Sequence, residues 1–290
     1  MTVVASVVVP TYNPGVLLER QLRALANQRA PGELEVIVAD NGSTDDTIAV
    51  ARGCADALPH LRIVDASDRQ GASHARNVGF DAATCDLILA CDADDVVDEH
   101  WAGRLLDGLA DADLVAGATV AWRAVGDTAP PTDGPTPVGP GFGGLGFYPV
   151  VIGSSFGVRR DVWRAVGGFD EGFPGAAVED FDFAFRVQLA GYRFASRPDA
   201  FVYYRMPTSI RAAMRKYYAY GHFQPLLYRK LRARGMPRRS LGEVAKVWLR
   251  LAARSPELFG TTEERLRWCE RFAHACGRIA GSVEFRTRFP

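Results

Sequence analysis

The chain has 290 residues, 48% of them hydrophobic and 23% charged, with 34 basic side chains against 34 acidic. That is enough apolar material for one large domain, or a domain with an appendage, and it excludes a disordered chain. No run of 18 apolar residues occurs, which excludes a membrane-spanning helix, and the five cysteines include no C-x-x-C pair, which argues against a disulfide framework or a zinc site.

Strand-like and helix-like segments alternate over the first 122 residues. Val3–Val9 is β-branched and apolar on both faces, as a buried parallel strand requires, and Pro10 is expected to stop it. Val16–Gln28 has helical spacing. Leu34–Ala39 reads as a second strand, and Ser43 or Thr44 as the cap of a helix reaching about Ala57. Leu61–Val64 reads as a strand, Gly71–Ala83 as a helix, Leu87–Cys91 as a strand, Val97–Ala110 as a helix and Leu114–Trp122 as a strand. The pattern predicts an α/β layer on a mostly parallel sheet flanked by helices. Residues 124–146 are rich in Pro and Gly and read as a long loop or a lid. A short strand at Gly153–Val158, a helical turn at Arg160–Val166, a helix at Glu179–Gly191 and an extended Tyr192–Tyr204 follow. From Thr208 the pattern is helical, broken near Gly235-Met236-Pro237 and Ser255-Pro256. A domain of residues 1–205 with a helical region 206–290 is the expected organisation.

In an open parallel sheet, ligands bind outside the carboxyl ends of the strands. The first strand ends in Pro10-Thr11-Tyr12-Asn13, the second in Asp40-Asn41-Gly42-Ser43, and the fourth in Asp92-Ala93-Asp94-Asp95. Turn chemistry explains Asn-Gly-Ser, but three carboxylates within four positions repel and call for a cation. Hard oxygen donors suit Mn²⁺ or Mg²⁺, which binds through one or two carboxylates plus substrate phosphates. Neither a G-x-G-x-x-G entry nor a Walker lysine motif is present, so a dinucleotide or P-loop site is not indicated. A diphosphate held through a metal points to a nucleotide-sugar.

The stretches "VVVPTYN", "VIVADNGSTDDT", "GASHARNVG", "DADD", "VGGFDE" and "EDFDFAFR", in that order over residues 3–190, resemble a family 2 glycosyltransferase of the GT-A fold. The resemblance implies an inverting transferase that takes a nucleoside-diphosphate sugar donor. It matches Pro10, Thr11, Tyr12, Asn13 and Asp40 to the nucleoside pocket and Arg76 to a residue near the base or diphosphate. Asp92 and Asp94 match the D-x-D pair, with Asp92 toward ribose and metal and Asp94 toward the metal, while Asp95 reads either as a ligand or as a cap for the next helix. Asp180 matches the base that deprotonates the acceptor hydroxyl, with its neighbour Glu179 the other candidate; two acids at a helix start also serve the helix dipole. Two positions depart from the family pattern: Arg69 where Asn is usual, and Asp98 where Pro often follows the acids. Trp163 reads as core or as a sugar platform, and His222 as a structural residue or a group approaching the metal.

Residues 205–250 carry twelve Lys or Arg against a single acid, Glu243, with aromatics interleaved. A solvated helix face, a surface for anionic lipid near a lipid-linked acceptor, and a nucleic-acid surface are the readings; the nucleotide-sugar site upstream ranks lipid docking or diphosphate contact first, with Arg211 and Arg215 four apart on one helix face, and nucleic acid last. The N-terminus has no basic leader, so the expectation is a cytoplasmic protein, peripheral at the inner face of the membrane, whose hydroxyl acceptor is a glycan, a small molecule or lipid-linked. The competing readings are a sugar nucleotidyltransferase and a catalytically silent nucleotide-sugar-binding scaffold.

Overall fold

The computed structural model describes residues 2–123, 144–173 and 177–289. Most of the expected lid, residues 124–143, lies outside the described residues. The chain divides into two compact units, one of residues up to 122 with 148–205, the other of 123, 145–147 and 206 onward.

The first unit is built on an eight-stranded sheet. Its strands are β1 (Val3–Thr11), β2 (Glu33–Asp40), β3 (Leu61–Asp65), β4 (Leu87–Ala90), β5 (Val96–Val97), β6 (Leu114–Trp122), β7 (Phe156–Arg159) and β8 (Phe194–Arg205), in the order β3-β2-β1-β4-β7-β6-β8-β5. β3, β2, β1 and β4 run parallel, as do β6 and β8, while β7 and β5 are antiparallel to their neighbours. The flanking helices are α1 (Leu17–Ala26), α2 (Thr47–Gly53), α3 (Ala72–Ala82), α4 (Trp101–Leu109), α5 (Arg160–Ala165) and α6 (Glu179–Leu189).

Alternation along β1 sends Val7 and Val9 into one core, with Leu18, Leu22, Trp101 and Leu105, and Val8 into the other, with Phe80, Phe156, Phe169 and Phe183. A strand buried on both faces is therefore apolar throughout, as the sequence shows. Trp163 is core: its ring lies 5.5 Å from Phe80 and it is 5% exposed.

Three local expectations differ from the structure. Strand β1 continues through Pro10 to Thr11, because its pairing with β4 ends at Val8 and a ladder N–H is not required there. Ser43 and Thr44 do not cap α2. The Ser43 hydroxyl accepts the Asn13 N–H at 3.0 Å, and the Thr44 N–H donates to Asn13 Oδ1 at 2.7 Å, so this loop is tied to the end of β1 and the helix starts later. Val97 is not helical; Val96–Val97 pairs with Tyr203 and Val202 of β8, and α4 begins at Trp101.

The second unit contains α7 (Ile210–Leu231), α8 (Leu241–Ala253) and α9 (Thr262–Glu284). Ser240 with Glu243, and Thr261 with Glu264, form complete capping boxes at the starts of α8 and α9. Helices α7 and α9 meet backbone to backbone: a Cβ on Gly221 would stand 2.0 Å from the His274 carbonyl oxygen, and one on Gly277 2.2 Å from that of Tyr218. No helix of the described residues is long and apolar enough to cross a membrane.

Candidate functional site

The parallel register brings Thr11, Asp40 and Asp65 side by side at the carboxyl edge of β1, β2 and β3. Tyr12 is 57% exposed beside them, and Asn13, at φ 49°, holds the 43–44 loop as described. A cleft of about 630 Å³ opens along this edge, with Asp40, Ser43, Asp65 and Ser67 as its polar groups and Ile48 and Ile63 among its apolar ones. Polar tips above an apolar slot are what a planar base with hydrogen-bonding edges requires.

Two further residues shape this edge: Asn41, which the sequence reads as turn chemistry, and Gln21, which it does not single out. Asn41 is buried; its amide donates to the Ala66 and Arg69 carbonyls, and its oxygen accepts the Gly71 N–H at 2.8 Å, fixing the loop that leads into α3. Gln21 is buried on α1, donates to the Asp92 carbonyl at 3.1 Å and accepts the Val97 N–H at 3.1 Å, so it clamps both ends of the acidic loop. Its signal was a polar residue in the apolar stripe of Leu18, Leu22 and Leu25.

The acidic residues after β4 go separate ways. Asp95 is buried and accepts the Arg205 N–H at 2.8 Å, which ties the loop to the end of β8; it does not cap α4. Asp98 is the group at that helix start, accepting the His100 N–H at 3.1 Å and pairing with Arg104 at 3.0 Å. Asp94 is exposed at the loop surface. Asp92 is partly buried and pairs through Oδ1 with Arg76 at 2.9 Å. Among the described residues, no group of three or more His, Cys, Asp or Glu side chains could hold a metal ion. Two carboxylates on one loop nevertheless fit Mn²⁺ or Mg²⁺ shared with a diphosphate, since such ions take most of their ligands from phosphate and water.

Arg76 is the hub. Its guanidinium, 3% exposed, bridges Asp92 and Glu179, the latter at 2.6 Å, and lies 5.7 Å from the centre of the Phe169 ring. Gly153 makes the room: a Cβ there would come within 2.5 Å of the Arg76 Nη2. Burial works against the charge, but Asp92, Glu179 and Asp180 outweigh it and hold the pKa above the ordinary value. Glu179 is buried, one oxygen on Arg76 and the other accepting the Ala177 N–H at 2.6 Å. Asp180 differs. Its oxygens accept the N–H groups of Gly153 at 2.9 Å and Phe181 at 2.8 Å, while part of its surface reaches solvent. Burial, then the neighbouring Glu179 charge, push its pKa up to about 7, against the pull of Arg76.

Arg69, the departure from the family pattern, pairs with Glu171 at 2.8 Å, and Glu171 also meets His74 at 3.2 Å and Asn77 at 2.9 Å. The loop entering α3 is thereby joined to the Gly167–Glu171 segment. His222 lies in the helical unit, where its Nε2 pairs with Glu284 at 3.1 Å and its ring stacks on Tyr218.

A sequence profile of glycosyl transferase family 2 matches residues 6–167, and one of glycosyl transferase family group 2 matches residues 87–262. The chain belongs to glycosyl transferase family 2. It is 30% identical over 219 residues to validoxylamine A glucosyltransferase of Streptomyces hygroscopicus subsp. limoneus, covering 64% of this chain and 48% of that one. It thus spans about half the length of that relative. Among solved structures, the mannosyltransferase PcManGT from Pyrobaculum calidifontis, in complex with GDP-Man and Mn²⁺, superposes with a TM-score of 0.63 at 21% identity, covering 95% of this chain and 86% of that one. Staphylococcus aureus TarS 1–349, in complex with UDP-GlcNAc, gives 0.54 at 18% identity, covering 98% and 92%. The expected GT-A fold is the fold of this family 2 member.

Proposed function

We propose that this family 2 chain transfers a sugar from a nucleoside-diphosphate donor to a hydroxyl acceptor with inversion at the anomeric carbon. The observation that carries the proposal is Asp180: a carboxylate reached by solvent, held by two backbone N–H groups, with a pKa pushed to about 7. A base poised near neutrality suits proton removal from a hydroxyl. In the step, the acceptor oxygen bonds to the anomeric carbon, the bond to the diphosphate oxygen breaks, and Asp180 takes the hydroxyl proton. Glu179 is 2% exposed and out of reach of an acceptor hydroxyl, and it serves to hold Arg76. Arg76, buried between Asp92 and Glu179, acts as a positioning residue that sets the donor loop against the base. Tyr12 and Asp40 would receive the base at the edge cleft.

Asp94 and Asp92 would hold Mn²⁺ or Mg²⁺, which supplies neutralisation of the charge on the leaving diphosphate; the Mn²⁺ in the mannosyltransferase neighbour supports this reading. His222 we assign to joining α7 and α9, its Nε2 being paired with Glu284. The hydroxyl acceptor is a glycan, a small molecule or a lipid-linked sugar, and for the last of these the basic helices would meet anionic lipid. Calorimetric titration of UDP, GDP and dTDP, with and without Mn²⁺, tests the donor class. Metal-dependent binding of one nucleotide, lost in Asp94→Ala, supports it; absence of binding by all three overturns it. Donor hydrolysis or transfer across acceptor panels separates the transferase from a silent binding module.

A further inference from the structure

The helical unit carries a second, half-open cavity, of about 610 Å³, whose lining carries Arg250 and Arg254 from the α8 side and Arg267, Arg271 and Arg278 from α9 against one carboxylate, Glu270. The α9 arginines recur at helical spacing, so they share one face. Most of this charge is locally balanced. Glu257 pairs with Arg254 at 3.3 Å and with Arg271 at 3.0 Å, Glu263 pairs with Arg267 at 2.7 Å, and Arg123 takes Glu270 at 3.1 Å. Arg250 and Arg278 have no carboxylate partner among the described residues. Arg278 is the telling case: it is 8% exposed, and its Nε has no hydrogen-bond partner among the described residues. A guanidinium buried without a counter-ion is strongly disfavoured unless an anion completes it. The His274 ring on the same wall accepts a hydrogen bond from the Gln224 amide and supplies no negative charge.

We propose that this cavity is a phosphate-binding site, separate in composition from the donor edge, which takes the phosphate or diphosphate group of an organic ligand. Arginine forks match phosphate oxygens in planar, bidentate fashion. The volume is that of a pocket for a sizeable organic molecule rather than a bare ion, and Val247 and Leu251 give the attached group an apolar wall. The same chemistry is offered by a soluble phosphate ester and by a lipid headgroup. The site rests on residues of the helical unit alone and stands whether or not the donor reading holds.

The test uses the full chain with EDTA present, so that metal-dependent binding at the donor edge is silent. Inorganic pyrophosphate is titrated by calorimetry, and co-sedimentation is measured with vesicles of phosphatidylcholine alone or containing one-third phosphatidylglycerol. Arg278→Gln and Arg250→Gln are compared with the parent and with Asp94→Asn. The expected result is binding of pyrophosphate or of the anionic vesicles, weakened about tenfold or more by Arg278→Gln, with Asp94→Asn unchanged. Pyrophosphate binding assigns a soluble ligand, and vesicle binding alone assigns a headgroup. Melting temperature separates a strut from a ligand site: without ligand, Arg278→Gln should melt no lower than the parent, because a buried uncompensated charge has been removed. A parent that binds neither probe, binding that Arg278→Gln leaves intact, or an Arg278→Gln variant that melts well below the parent overturns the proposal.

Discussion

Replacing Asp180 by Asn should raise the stability of the folded chain at alkaline pH and sharply slow transfer, two effects with one cause. The carboxyl titrates at about 7 in the fold against an ordinary 3.8. Below the ordinary value it is protonated in folded and unfolded chains alike and makes no difference between them. As the pH rises from there to the folded value, the unfolded chain ionises first and gains. Above both values the fold bears the whole cost of a charge it disfavours, about 1.4 kcal/mol for each tenfold gain in proton affinity, a ceiling of about 4 kcal/mol. Asn removes that cost. It also gives up one of the two N–H contacts, from Gly153 at 2.9 Å or Phe181 at 2.8 Å, which takes back about 1–2 kcal/mol at every pH. Urea melts of parent and variant at pH 5 and pH 8 isolate the ionic part, because the lost hydrogen bond cancels between them. The variant should improve relative to the parent by about 2–3 kcal/mol on going from pH 5 to pH 8. Transfer should fall by about 10²–10⁴, and the parent's rate should rise with pH through a midpoint near 7. A stability difference that is the same at both pH values would refute the argument that burial penalises this charge.

Gly221→Ala should cost about 1–3 kcal/mol or more, read from the urea midpoint, because its Cβ would lie 2.0 Å from a backbone oxygen of α9 that cannot swing away. Arg76→Met should destabilise by about 3–5 kcal/mol, since Asp92 and Glu179 lose their shared partner; thermal melts showing less than 1 kcal/mol, about the value of an exposed pair, would argue against a buried bridge. Glu35 is a buried carboxylate that burial alone would raise, but hydrogen bonds from Ser6, Thr84 and Arg62 hold it below the ordinary value. Its contribution is present above pH 4.5 and lost as the pH falls below that value, so Glu35→Gln should cost about 1–3 kcal/mol at pH 7 and less at pH 3, measured by denaturant melts at the two pH values.

What could be read from the sequence was what a single segment decides for itself. Leu114–Trp122 could be read to the residue, because a strand buried on both faces is an apolar run whatever packs on it. The polar ends of β1, β2 and β4 could be read for the same reason: the change from Val, Ile and Leu to Asn and Asp marks where the core stops. Val96–Val97 could not, since only Tyr203 and Val202, over 100 residues later, turn it into a strand. The Ser43 cap failed on a similar partner, Asn13, which draws that loop to β1. Gln21 and Asn41 carried local signals, a polar residue in an apolar stripe and an Asn at a strand end, but what they hold lies across the fold.

Arg76 shows most sharply why motifs alone under-describe this site. Its sequence neighbours suggest a residue that faces a ligand, yet its guanidinium is 3% exposed and spent on two carboxylates, one 16 and the other 103 residues away. Neither carboxylate alone would balance it there: one partner leaves a buried guanidinium less compensated, and Asp92 and Glu179 without it would repel. The bridge therefore needs the end of β4, the face of α3 and the start of α6 in one place, and it needs Gly153, where any side chain would meet the guanidinium at 2.5 Å. That same glycine donates its N–H to Asp180. A residue without a side chain thus makes room for the cation that anchors the donor loop and holds the carboxylate poised to accept a proton, so one backbone position serves both groups.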